Sequence, residues 1–144
     1  SNMQKKKDLA DKLRSSGLRP TKQRLRLAEH LFNRSKTFHF TVENLDRVIN
    51  RKGSDEKVAL ATIYNTVHAF EKAGHLKEIL LKEGRSYFDT NITSHHHFYD
   101  AANNELIDIE DNNIELKKFP IPPKGKSIKN VNVIINIDND TQNQ

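Results

Sequence analysis

Three adjacent histidines, His95-His96-His97, begin six residues after Asp89 in the segment Ser86-Tyr87-Phe88-Asp89-Thr90-Asn91. Imidazole is the usual side-chain ligand for zinc, iron and haem iron, and a nearby carboxylate adds an oxygen donor. A solvated polar loop or a purification-tag remnant would also be rich in histidine. Tags, however, sit at a terminus and usually run to about six histidines, whereas this run is internal and leads into Phe98 and Tyr99. These residue types point to reversible binding of a metal ion or haem, the chemistry of a switch.

The chain contains no cysteine. That excludes disulfides, thiolate zinc sites, iron–sulfur ligation and a thiol nucleophile, so any metal is held by nitrogen and oxygen alone. The 144 residues suffice for one ordinary domain or two small ones. A 35% hydrophobic content and a mean hydropathy of −0.79 leave little core, so two lobes would lean on each other or on a second subunit. No apolar run approaches the length of a membrane span and no signal-peptide pattern is present, so a soluble, cytoplasmic protein is expected. Ser1-Asn2 reads as a cloning remnant ahead of a native start at Met3. Charge is divided: residues 1–90 carry 19 Lys/Arg against 11 Asp/Glu, and residues 91–144 carry 5 against 8. A basic front and an acidic back fit a DNA-binding lobe joined to a sensing or assembly lobe.

The elements that must position these residues can be read along the chain. Leu9 and Leu13 at i, i+4 predict a helix over residues 4–16, stopped at Gly17. Pro20, at a first-turn position, opens a second helix to about Asn33, with Leu25, Ala28, Leu31 and Phe32 on one face. Thr41 caps a third, carrying Val42, Leu45, Val48 and Ile49. Residues 59–73 form a fourth, with Leu60, Ile63, Val67 and Phe70 as its buried stripe and Gly74 at its end. Two strands, 76–81 and 85–89, are joined by a turn at Glu83-Gly84. Helices followed by a β-hairpin outline a winged helix-turn-helix. Beyond it, residues 97–101 and 105–110 read as strands around an Asn103-Asn104 turn, and residues 127–138 as a half-buried third. The Phe119–Lys126 stretch, with three prolines and a glycine, cannot be helical. A small antiparallel sheet results, whose exposed edge and apolar face a second subunit could cover. The fold class is α+β, with a winged-helix domain over 4–90, a small dimerisation domain over 91–138 and a polar, disordered tail over 139–144.

In the fourth helix the face opposite the apolar stripe carries Thr62, Asn65, Thr66, Ala69 and Lys72, with Tyr64 at its flank. Small and polar side chains there suit the major groove, where Asn pairs with adenine and Thr methyls meet thymine methyls. Arg19, Lys22, Arg24 and Arg26 stand near the start of the second helix, within reach of phosphates or a minor groove.

Four separated segments now coincide. Gly17-Leu18-Arg19-Pro20-Thr21-Lys22-Gln23-Arg24, Leu60-Ala61-Thr62-Ile63-Tyr64-Asn65-Thr66-Val67, Tyr87-Phe88-Asp89-Thr90-Asn91 and His95-His96-His97-Phe98 resemble, in order, the ferric uptake regulator (Fur) superfamily. Within it they are most similar to the iron response regulator (Irr) branch of α-proteobacteria. The resemblance implies an N-terminal winged helix, a C-terminal α/β dimerisation domain and a regulatory metal site between them. Its ligand pattern falls on His39, Asp89, His95, His97 and Asp108. In a strand His95 and His97 share a face, and ligands from both lobes would tie the lobes together. Such a set suits Fe(II), Mn(II) or Zn(II). His96 and Glu115 match positions of a second sensory site, whose remaining histidine is replaced near Val131. The cysteine-based structural zinc site and the Cys-Pro haem motif of some relatives are absent, and the FPIPP segment replaces a helix that supports the dimer.

The resemblance implies a haem- and iron-responsive transcription factor of iron homeostasis and haem biosynthesis, not an enzyme. It would bind double-stranded operator DNA as a homodimer, with no membrane partner. Haem would bind through His95, His96 and His97; Arg19, Thr62, Tyr64 and Asn65 would contact DNA. A divalent-metal repressor or a peroxide sensor of the same family shares the ligand set. A metal-dependent hydrolase is the remote alternative, lacking an HExxH-like motif.

Overall fold

The computed structural model describes residues 2–53, 56–93, 96–110, 113–128 and 130–141, with Glu83 described by its backbone only. The chain divides into two compact units, Ser1–Ile92 and Thr93–Gln144. Together they give an α+β protein.

In the first unit, α1 (Asn2–Ser15) buries Leu9 and Leu13. It stops where Gly17 takes φ 77°, a left-handed conformation that only glycine adopts without strain. The Leu18 N–H then donates to the Leu13 carbonyl and the Gly17 N–H to Arg14, each at 2.9 Å, satisfying the last turn. In α2 (Lys22–Phe32) the cap is Thr21, whose hydroxyl accepts the Arg24 N–H at 3.3 Å. Pro20 therefore precedes the cap instead of occupying the first turn, because a hydroxyl acceptor satisfies an orphan amide that proline cannot. The α3 helix (Val42–Ile49) is capped by Thr41, as the sequence indicates. The last, α4 (Leu60–Lys72), ends at Gly74 (φ 87°), beyond which the His75 N–H donates to the Phe70 carbonyl at 2.8 Å.

Three short strands complete this unit: β1 (His39–Phe40), β2 (Lys77–Leu80) and β3 (Ser86–Asp89), in the antiparallel order β1-β3-β2. The hairpin β2–β3 was legible in the sequence. Two-residue β1 was not, because it is too short to show a period. Leu13, Leu27, Leu31, Ile63, Val67 and Phe70 are fully buried and join the helices to Phe40 and Phe88 of the sheet. Each contributes about 1.5–3 kcal/mol by leaving water, so Phe70→Ala would cost about 3–5 kcal/mol. The buried stripe of α4 is Ile63, Thr66, Val67 and Phe70; Leu60, expected in it, is 49% exposed. Leu60 is the first residue of the helix, where a side chain leans past the core edge. Thr66 enters the core because its hydroxyl donates to the Thr62 carbonyl at 2.7 Å and leaves its methyl to pack.

The second unit holds β4 (His96–Asp100), β5 (Glu105–Ile109) and β6 (Ile134–Ile137), in the order β5-β4-β6. At the β4–β5 turn Asp100 Oδ1 accepts the Ala102 and Asn103 N–H groups, and Asn104 takes φ 53°. The expected all-antiparallel sheet is instead mixed: β4 and β5 are antiparallel, but β6 pairs with β4 in parallel. Three strands alternating in direction give a parallel contact whenever the third crosses to the far side of the first, and the long proline-rich segment after β5 allows that crossing. The strand expected over 127–138 shortens to Ile134–Ile137, and no α-helix or strand lies between β5 and β6 among the described residues. The tail expected over 139–144 is described only through Thr141. Leu106, Ile109 and His97 are buried, whereas Ile107, Phe119, Ile121, Ile128 and Ile135 are exposed. No helix of the described residues is long and apolar enough to cross a membrane.

Candidate functional site

Each unit sets one histidine directly across an antiparallel ladder from one aspartate. In the first, β1 places His39 opposite Asp89 of β3, and His39 Nε2 lies 3.1 Å from Asp89 Oδ2. In the second, β4 places His97 opposite Asp108 of β5, and His97 Nε2 lies 3.2 Å from Asp108 Oδ1. Directly opposed residues have side chains close enough to meet, so register alone makes both pairs. Asp89 and His97 are buried, His39 is nearly so, and Asp108 is half exposed.

The first pair is held by its surroundings. Asp89 Oδ1 accepts the Asn91 N–H at 2.8 Å, an Asx turn that fixes the carboxylate. Thr90 staples β1 in place: its Oγ1 accepts the Phe38 N–H at 3.0 Å and its N–H donates to the Phe38 carbonyl at 3.2 Å. The Asp89-Thr90-Asn91 motif is thus a strand terminus that orients a carboxylate. The role of Thr90 was missed in the sequence because it depends on pairing with Phe38, far along the chain.

Nitrogen and oxygen ligands bonded at about 2.1 Å to one cation stand roughly 3.0 Å apart at an octahedral edge and 3.4 Å at a tetrahedral one. The two pairs, at 3.1 and 3.2 Å, have the spacing of adjacent ligands. An imidazole and a carboxylate are borderline-to-hard donors that suit Fe(II), Mn(II) or Zn(II). The donor sets therefore fit a divalent cation.

Of the expected ligands, His39, Asp89, His97 and Asp108 form these two pairs; His95 lies outside the described residues. His96, expected to contact haem, accepts the Val133 N–H on its Nδ1 at 3.0 Å, beside the His97 N–H bond to the Val133 carbonyl at 3.1 Å. It is a structural clamp between β4 and the segment entering β6. Glu115 is exposed.

On α4, Tyr64 and Asn65 are exposed and Thr62 is half-buried, while Thr66 is withdrawn into the core. The Tyr64 ring stacks on His68 with centroids 5.9 Å apart, and its hydroxyl donates to Glu43 at 3.4 Å. Glu43 raises the Tyr64 pKa, chiefly through its charge. Arg19 is exposed. Arg26 is not a free cation: it donates to the Ile49 carbonyl at 2.9 Å and to the Glu56 carbonyl. It stabilises the end of α3 instead of reaching outward. Arg24 donates to the Arg19 carbonyl at 3.1 Å.

A four-helix unit with a three-stranded sheet and a second β unit, each carrying one cross-strand histidine–aspartate pair, define a two-unit α+β protein with metal-ligand donor types in both units. Residues 15–136 match the ferric uptake regulator family, and the chain belongs to that family. It is 32% identical over 84 residues to the ferric uptake regulation protein of Cupriavidus metallidurans, covering 58% of this chain and 57% of that one. It is 29% identical over 91 residues to the peroxide operon regulator of Bacillus subtilis, covering 63% and 60%. These alignments span less than two thirds of either relative. The fold is similar to that of the ferric uptake regulator from Francisella tularensis with iron, at a TM-score of 0.67 and 19% identity, over 89% of this chain and 96% of that one.

Proposed function

We propose that the protein is a metal-responsive DNA-binding regulator that works as a homodimer in the cytoplasm. The observation that carries this reading is the pair of cross-strand His–Asp partners, one in each unit. One divalent cation bound by His39, Asp89, His97 and Asp108, with His95 as a further donor, would couple the units, and its affinity for the paired arrangement would be the regulatory energy. In this reading the ion is an effector held by the chain, not a catalyst.

Ser1–Ile92 would act as a winged helix-turn-helix, with α4 in the major groove and the β2–β3 hairpin as wing. Asn65 and Tyr64 would read bases, Thr62 would contact them from the edge of that face, and Arg19 would reach a phosphate or the minor groove. The basic composition of residues 1–90 supports this. Thr93–Gln144 would dimerise, covering the apolar side chains that stand exposed there, Phe119, Ile121 and Ile135 among them.

The test is duplex selection from a random pool with the purified chain, with Mn(II) or with EDTA, beside a His97→Ala variant. The expected result is a palindromic site bound many-fold tighter with metal by the wild type only. Equal affinity with EDTA, or unchanged metal response in His97→Ala, would overturn the reading.

The haem-responsive form of this reading, the Irr type, rests on the His95-His96-His97 run. His96 Nδ1 is occupied and His97 is buried against Asp108, so haem would need local opening of β4. A divalent ion needs none, which makes it our first choice over haem. A ferric-haem titration followed at the Soret band decides between them: saturation near one haem per chain, lost in His95→Ala, would restore the haem form. Peroxide sensing shares the same ligands, and oxidation of His39 or His97 in the iron-loaded protein exposed to peroxide, read by mass spectrometry, would mark it.

A further inference from the structure

A groove of about 580 Å³ runs between α1 and the segment that follows α2. Leu9 and Phe32 form its apolar floor, and Lys5, Lys12 and Arg34 its cationic rim. A second hollow of about 190 Å³ shares Lys12, Phe32 and Arg34 and continues past Lys36 to Thr90. Asp8 is the one acid in the lining, and its carboxylate already accepts from Gln4 at 2.9 Å. Lys12 Nζ sits 4.1 Å above the Phe32 ring centroid. Arg34 lies 3.5 Å over the Phe38 ring, with its Nε donating to the His30 carbonyl at 3.2 Å. Neither cation has a carboxylate partner among the described residues.

Three features define what such a groove takes. A partly desolvated cation without a counter-ion is costly, and an anion placed against it recovers a charge-assisted hydrogen bond. Burial lowers the pKa of Lys12, which agrees with an ammonium that has given up water. The floor rewards a flat apolar body, and the volume is that of a small-molecule site. The helices that shape it are locked by the Leu9, Leu13 and Leu31 core, so the groove is preformed.

We propose that this groove binds a small anionic amphiphile, with its acid group against Lys12 and Arg34 and its apolar body on Leu9 and Phe32. The site is independent of the His–Asp pairs and of the DNA-binding reading. The test uses the full chain, ¹⁵N-labelled, in EDTA. It is titrated with 8-anilinonaphthalene-1-sulfonate, with uncharged N-phenyl-1-naphthylamine, and with inorganic phosphate. The expected result is saturable binding of the sulfonate with amide shifts concentrated at residues 5–12 and 32–37. The uncharged probe should bind at least roughly tenfold more weakly, as loss of the charge-assisted contacts implies, and Lys12→Gln should narrow that difference. Arg34→Gln, on the rim, serves for the same comparison should Lys12→Gln not fold. Equal affinity for both probes, shifts concentrated on β5 and β6, or displacement by phosphate at equal concentration would overturn the proposal.

Discussion

The Nδ1 of His96 accepts the backbone N–H of Val133 at 3.0 Å, and that bond separates the middle histidine from its neighbour His97 in function. A neutral imidazole accepting at Nδ1 carries its proton on Nε2, so neither nitrogen is left to ligate. His97, one residue on, faces the other way, toward Asp108.

Two substitutions should therefore behave oppositely. His96→Ala should lower stability by about 1 kcal/mol through the lost bond to Val133 while retaining Mn(II) affinity. His97→Ala should abolish high-affinity Mn(II) binding. Isothermal titration and thermal melts of both variants check this; weaker metal binding in His96→Ala than in His97→Ala would contradict it.

Asn50 imitates a strand partner. Its side-chain oxygen accepts the Val58 N–H at 2.7 Å and its amide donates to the Val58 carbonyl at 2.9 Å and to Asp46 at 2.7 Å. Asn50→Ala leaves both Val58 groups unsatisfied beside a fully buried side chain. The expected loss is about 1–3 kcal/mol, measured as a lower urea midpoint with unchanged slope.

Asn65 and Thr66 are neighbours with different roles. Asn65→Ala should weaken binding to the selected duplex by about 1–3 kcal/mol and relax preference at one base pair. Thr66→Val keeps the buried shape, gives up only a bond to the Thr62 carbonyl, and should leave DNA affinity unchanged. Fluorescence anisotropy on matched and mismatched duplexes separates them.

Acid should weaken the first unit. His30 and His75 both have pKa values below the ordinary histidine value, chiefly because burial disfavours the charged form, with cations nearby adding to it. The unfolded chain therefore binds more protons below about pH 6.5. Stability is highest above that pH and falls as pH drops through it. His75 also shares a 2.9 Å hydrogen bond with Ser15 Oγ. His75→Gln should flatten the fall in melting temperature between about pH 7 and pH 5; an identical slope would remove His75 from the account.

Local features were legible along the chain. The Gly17 and Gly74 helix stops, the Thr41 cap, the β2–β3 hairpin and the Asn103-Asn104 turn each depend on hydrogen bonds between groups close along the chain. The types of the candidate ligands were also legible, because histidine beside aspartate carries its chemistry wherever the chain goes. Pairing was not. That His39 faces Asp89 follows from strand register, which the long chain between them leaves open until the whole sheet closes. His97 faces Asp108 across a short turn, but which residues stand opposite is fixed only by the register of the ladder. The same holds for β6, which crosses to the far side of β4, and for Arg26, whose charge serves two backbone carbonyls. Thr66 lies in the core although its polarity marked it for the surface. Sequence by itself determined where the chain turns and which atoms can bind. The tertiary structure decided which of them meet, because contacts between distant residues form only where burial of the shared core outweighs the entropy of closing the loops between them.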